Sequence, residues 1–216
     1  MINESCFFCS SQNTKEQSLN RIYCLSCKKR YSLKKIQRLK KIIECFALEV
    51  PALKASSFLN ISYKTVHQNY QIIRKKIAAF EKTNPLYELL DDFCTKDERF
   101  GKETLFLSVE NGLLFAKLFE KSQFKKDNLL RFENERDCKL TVFQSSNPSY
   151  FSGFKREYGQ NSDFYPFLKR MLKKYQGISK NSFKLYLSEA VFRYNNRKDN
   201  LTAILTSLWQ KIPNSK

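Results

Sequence analysis

Residues 22–32 read IYCLSCKKRYS: Cys24 and Cys27 stand three apart, and three cations, Lys28, Lys29 and Arg30, follow at once. Two thiols at that spacing are a redox couple, half of a metal site, or incidental, and a basic run is by default a solvated turn. Upstream, Cys6 and Cys9 repeat the two-residue spacer, with fourteen residues between the pairs. Such a spacer lets two thiolates bind one ion from a tight turn, and two such knuckles complete a tetrahedron around Zn²⁺. Neither pair sits in the βαβ pattern that houses a thioredoxin-like couple. The spacing therefore predicts a structural zinc ribbon over residues 1–33, with Cys6, Cys9, Cys24 and Cys27 as ligands. The intervening SSQNTKEQSLNRIY, polar and then apolar, suits a short hairpin. A fold of about thirty residues buries too little apolar surface to hold itself, so the metal supplies the folding free energy. Lys28, Lys29 and Arg30 then ride on a metal-fixed turn, where a phosphate contact costs less ordering entropy than one from a loose tail.

Charge points the same way. The 216 residues carry 39 Lys/Arg against 21 Asp/Glu, a net +18, and a field of that sign concentrates polyanions. Residues 1–82 hold sixteen Lys/Arg against five Asp/Glu, so the N-terminal third is the stronger electrostatic footprint. Nucleic acid is the usual polyanion, and an anionic membrane surface is the alternative. No apolar run of about 18 residues exists, so no membrane span is expected, and MINESCFFCSS does not read as a secretory signal. Seven cysteines, an odd number, without an export signal argue against a disulfide framework and for a reducing cytoplasm.

Downstream, LKKIQRLKKIIECFAL (33–48) spaces Leu33, Ile36, Leu39, Ile43 and Phe46 as one helical face. Val50-Pro51 ends that helix, PALKASSFLN (51–60) is a short second one, and Ser62 is a suitable N-cap for a third. In the third, Val66, Tyr70, Ile73, Ile77 and Phe80 form a stripe predicted to be buried. Ala55 and Ser56 permit close helix approach, and Leu59 and Ile61 anchor the turn. Residues 34–84 therefore read as a helix-turn-helix domain, a plain three-helix bundle being the alternative. Double-stranded DNA is the expected partner. Tyr63, Lys64, Thr65, Gln68 and Asn69 would face base edges, while Arg74, Lys75 and Lys76 would reach only phosphate. His67 reads as a surface residue beside that face.

Asn84-Pro85 and the acidic stretch Glu88–Glu98 mark a boundary. TLFLSVENGLLFAKLFE then reads as a hairpin turning at Asn111-Gly112, CKLTVFQSSNPSY as a further strand, and Phe164–Trp209 as helical apart from a loop near Gln176–Ser179. The stretch FYPFLKRMLKKYQGISKNSFKLYLSEAVFRYNNR (164–197) combines an aromatic pair, Lys-Arg, a K-x-x-G-I-x-K turn and Y-L-x-E-x-x-F-R-x-N. With the ribbon residues IYCLSCKKRYS, it resembles the small bacterial insertion-sequence transposases that carry a ribonuclease-H-like catalytic core. The likeness follows the order of most of the chain, strongest at both ends. It implies an α+β fold in which 85–216 is a shortened ribonuclease-H-like mixed domain with C-terminal helices. A bacterial, cytoplasmic, nucleoid-associated protein follows from the same likeness; a homodimer is a further expectation, since helix-turn-helix proteins often dimerise, although no clean heptad seam shows.

That family's chemistry uses three carboxylates binding two divalent ions, which activate water or a DNA 3′-hydroxyl. The matching positions here are Ser108, Ser145 and Ser162, and none is acidic. Glu110, Asp137 and Asp163 are the nearest substitutes, but one residue along a strand turns a side chain to the other face. The expectation is a transposase-like, sequence-specific DNA-binding protein without strand-transfer activity. A working Mg²⁺-dependent transposase using the substitute acids is the second reading, and an RNA-binding or protein-interaction module the third.

Overall fold

The computed structural model describes residues 5–82, 94–96, 102–120, 122–124, 126–145, 154–160, 162–175 and 178–211. The expected boundary at Asn84-Pro85, most of the acidic stretch after it, and the loop residues 176–177 lie outside these. The fold is α+β, in two compact units: Met1–Lys76 with Asp199–Lys216, and Ile77–Lys198. No helix among the described residues is long and apolar enough to cross a membrane.

In the first unit, strands β1 (Thr14–Ser18), β2 (Arg21–Cys24) and β3 (Arg30–Ser32) form an antiparallel sheet in chain order. Asn20, at φ +66°, makes the β1–β2 turn in the left-handed region that Asn tolerates. Helix α1 (Leu33–Ala47) follows without a linker and buries Leu33, Ile36, Leu39, Ile42, Ile43, Cys45 and Phe46. Helix α2 (Ala52–Leu59) buries Ala55 and Ser56, as the close-approach reading requires. It stops at Asn60, left-handed at φ +51°, where the Ile61 N–H returns to the Ser56 carbonyl. Helix α3 (Tyr63–Glu81) then begins under its Ser62 cap, whose hydroxyl accepts from the Thr65 N–H at 3.3 Å.

Val66, Tyr70, Ile73 and Ile77 are buried along α3, but Phe80 is 48% exposed and falls outside the predicted stripe. The predicted grouping of 85–216 as one domain also needs correction. The last helix, α7 (Leu201–Lys211), belongs with the N-terminal unit and packs on α1. Its Trp209 carbonyl lies 3.5 Å from the Lys76 ammonium, which sits over the Trp209 ring.

The second unit is built on a four-stranded sheet of order β6-β5-β8-β9, antiparallel at every pair. Its strands are β5 (Glu103–Glu110), β6 (Leu113–Phe119), β8 (Lys139–Ser145) and β9 (Lys155–Gly159). Asn111 and Gly112, both at positive φ, close the β5–β6 hairpin as its sequence predicts. A two-stranded sheet pairs β4 (Cys94–Lys96) with β7 (Ser122–Phe124). Helices α5 (Phe164–Lys173) and α6 (Lys180–Asn195) cover one face of the larger sheet through Leu105, Leu107, Phe143, Phe164, Phe183 and Val191. On the other face α4 (Lys126–Arg136) contributes Leu129 and Phe132 against Phe106, Leu140 and Val142. Strand β9 and helix α4 have no counterpart in the sequence reading.

Gly159, at φ +79°, ends β9 with no room for a side chain: an added Cβ would lie 2.0 Å from the Leu140 carbonyl oxygen. Gly112 has φ +77° and nothing within 4 Å. Gly112→Ala should therefore cost about 1–2 kcal/mol, the price of a left-handed L-residue alone. Gly159→Ala should cost clearly more, because β8 and β9 must separate. Urea unfolding of the two variants side by side checks the order.

Candidate metal centre and nucleic-acid face

The two knuckles repeat one backbone design. In each, the residue after the second cysteine is left-handed, Ser10 at φ +59° and Lys28 at φ +57°. In each, the first cysteine donates its N–H five residues ahead, Cys6 to Ser11 at 2.7 Å and Cys24 to Lys29 at 3.0 Å. The folded turns aim their sulfurs at a shared point. Cys6 and Cys27 Sγ lie 3.7 Å apart, Cys9 and Cys24 Sγ 3.6 Å, and all four fall within 4.8 Å of one another.

A Zn–S bond of ~2.3 Å in a tetrahedron puts neighbouring sulfurs ~3.8 Å apart, so the spacing fits zinc, while a disulfide needs ~2.05 Å. Backbone amides also point at the sulfurs: Phe8 N–H at Cys6 and Cys27 N–H at Cys24, each at 3.4 Å. The four thiols do not titrate alike: the Cys27 amide holds the Cys24 thiol down at about 6, while burial pushes the Cys27 thiol up. Among the described residues, these four are the group of His, Cys, Asp or Glu close enough to hold an ion.

The basic run after the second knuckle is exposed. Lys29 sits 4.4 Å over the Phe8 ring and Arg30 5.4 Å over Tyr23, which restrains both cations without covering them. On α3, Tyr63, Lys64, Gln68 and Lys75 are exposed. Tyr63 stacks on His67 at 5.5 Å. Thr65 and Asn69 are half-buried and partly committed: the Thr65 hydroxyl is 2.8 Å from that of Ser62, and the Asn69 amide donates to the Thr65 carbonyl.

Arg74 is a correction. It is only 1% exposed, with its guanidinium over the rings of Phe46 (5.4 Å) and Tyr70 (5.9 Å), so it packs inside the unit instead of meeting phosphate. Lys76 is likewise buried, and burial, with Lys29 nearby, lowers its affinity for a proton.

The three serine positions do not meet. Ser108 shares the Phe106 and Leu140 face of the sheet, whereas Ser145 shares the Leu105 and Phe143 face. Ser145 pairs with Glu103 and Ser108 with Leu140, so five residues of β5, roughly 17 Å, separate them along the strand. Ser108 is fully buried, and its hydroxyl has no hydrogen-bond partner among the described residues. Ser162 has a structural task, accepting the Phe164 N–H at the start of α5. Asp137 is exposed and left-handed just past α4, Asp163 is exposed at the start of α5, and Glu110 is half-buried at the hairpin end.

The signature Y-L-x-E-x-x-F-R-x-N falls on α6 and is occupied in packing. Tyr186, Leu187 and Phe192 are buried, and Glu189 and Arg193 form a buried ion pair at 2.9 Å. Asn195 exchanges two hydrogen bonds with the backbone of Leu114, at 2.9 and 2.8 Å, acting as a strand partner for the sheet edge.

The sequence reading passed over Arg21, Tyr31 and Lys35, which with Arg30 line a cleft beside the ribbon. Their signal was the alternation of RIYC and RYS, which sets Arg21 and Arg30 on one sheet face. No family model matches the chain, and neither a curated protein nor a solved structure is similar to it.

Proposed function

We propose that the chain is a sequence-specific duplex-DNA-binding protein of the insertion-sequence transposase type that does not carry out strand transfer. The observation that carries the reading is the capped start of α3, where Tyr63, Lys64 and Gln68 stand exposed after a short helix and a left-handed turn. That is the arrangement by which a recognition helix enters the major groove. The exposed cations Lys28, Lys29 and Arg30 add phosphate contacts from a turn whose shape the metal would fix. The resemblance also implies a reduced ribonuclease-H-like core over 85–216, acting as scaffold or dimer surface, whereas the larger sheet there is antiparallel at every pair and not mixed. Separation of Ser108 from Ser145, on opposite sheet faces, supports leaving strand transfer out.

Purified zinc-loaded protein should shift duplex DNA, with log affinity falling linearly in log salt by about 0.9 per phosphate contacted. Lys75→Ala, at an exposed phosphate-reaching position, should weaken all sequences alike and flatten that slope by about 1, whereas Gln68→Ala should cost about 1–3 kcal/mol on the preferred site and relax its specificity. Salt-insensitive binding, or tighter binding to structured RNA at the same salt, would overturn the proposal. Cleavage or joining of DNA ends in Mg²⁺ or Mn²⁺ would restore the working transposase.

A further inference from the structure

Beside the ribbon, a cleft of about 580 Å³ opens between the sheet and the first turn of α1. Its charged lining is one-sided: Arg21, Arg30 and Lys35 contribute three cations, and no carboxylate among the described residues lines it. Arg21 and Arg30 project from one face of β2–β3, since Arg21 pairs with Ser32, two residues beyond Arg30, while Tyr31, paired with Ile22, projects from the other, so the cleft spans the edge strand β3. Its apolar lining is Phe8, Tyr31 and Ile36. The two rings meet edge to face at 5.5 Å, and the Tyr31 hydroxyl takes the Phe7 N–H at 3.4 Å, so Tyr31 is held in place by the knuckle itself.

A solvated basic surface has no need of an aromatic floor. The combination of concavity, fixed rings and uncompensated cations suits a flat, partly apolar group that carries negative charge. The volume falls inside the ~300–1,000 Å³ range of small-molecule sites.

We propose that this cleft takes one unpaired nucleotide of the bound DNA, its base against Tyr31 and Phe8 and its phosphates on Arg21 and Lys35. The proposal rests on the DNA-binding reading and adds to it a preference for DNA with an extrahelical or single-stranded nucleotide at the ribbon end. Stacking on an aromatic side chain is sequence-tolerant and corresponds to roughly 5- to 150-fold in affinity per base.

The test uses the zinc-loaded full chain and two fluorescent DNAs, a blunt duplex and the same duplex with a short single-stranded overhang. Anisotropy titrations should give tighter binding to the overhang DNA by a factor in that range. The preference should narrow but not vanish as salt is raised, because the contacts of Arg21 and Lys35 with phosphate release counterions and the stacking does not. Arg21→Ala and Lys35→Ala change exposed side chains, so the fold should survive, and each should narrow the preference. Tyr31→Leu, checked for retained zinc, should abolish it while blunt-duplex affinity changes little. Equal binding of both DNAs by the unaltered protein, or a preference that all three variants keep, overturns the cleft and leaves the duplex reading standing. Failure to bind either DNA overturns both.

Discussion

Removing the metal should unfold the ribbon while the second unit stays folded. Purified protein should carry one zinc per chain, and a strong chelator or Cys24→Ser should abolish it. Hydrogen exchange over residues 5–32 should then rise to the unprotected rate, while residues 103–145 keep their protection. Apart from the cysteines, only Phe7 and Ile22 are buried apolar side chains in the described residues before α1. Two side chains cannot repay the ordering of that many backbone residues. Structural zinc contributes on the order of 10–16 kcal/mol in comparable small domains, so the effect is loss of the structure and not its softening.

Duplex affinity should fall with the metal, because Lys28, Lys29 and Arg30 would again be presented by a loose chain. Acid should mimic the chelator, since the thiols shed their protons to bind metal as thiolates and regain them as pH falls. Unchanged exchange in the chelated protein, or a preparation without zinc, would remove the foundation of this account.

What could be read from the sequence was local. Two C-x2-C pairs, Asn111-Gly112 and the Ala55-Ser56 to Ser62 stretch each carry their geometry within a few residues, and the structure reproduces all three. What could not be read depends on distant partners. KREYG has no apolar alternation to mark it, and it is a strand because β8 supplies the hydrogen bonds and Gly159 allows the approach. Helix α4, KDNLLRFENER, buries little beyond Leu129 and Phe132, and Glu133 anchors it by accepting from the Leu140 N–H and the Tyr158 hydroxyl.

Arg74 was misread because a cation on an amphipathic helix is usually solvated, and nothing local announces that Phe46 and Tyr70 will enclose it. The return of α7 to the first unit is likewise a long-range fact, hidden from any window of sequence. At the candidate DNA face, exposure singles out Lys64 and Gln68, which periodicity alone could not separate from Thr65 and Asn69.

The second large effect concerns the ion pair inside α6. Glu189 is fully buried and Arg193 is 3% exposed, with the Arg193 Nε–H donating to Glu189 Oε1 at 2.9 Å and the Tyr175 hydroxyl reaching the same oxygen at 3.4 Å. Removing one partner takes the opposite charge away from a buried one, so Arg193→Met should cost about 3–5 kcal/mol, and Glu189→Leu a similar amount. Replacing both together should recover most of the loss, because two apolar side chains of similar volume need no compensation. The double-mutant cycle by urea unfolding, followed through a probe in the second unit, reads this directly.

The pattern of costs also decides what the Y-L-x-E-x-x-F-R-x-N signature encodes. If Glu189 is retained for packing, the double variant regains stability and still binds duplex DNA as before. Were it held for chemistry on DNA, the unaltered protein would cleave or join DNA ends in Mg²⁺ and the double variant would not. A single-substitution cost below about 1 kcal/mol, the level of a surface pair, would show that the buried ion pair does not hold the second unit together.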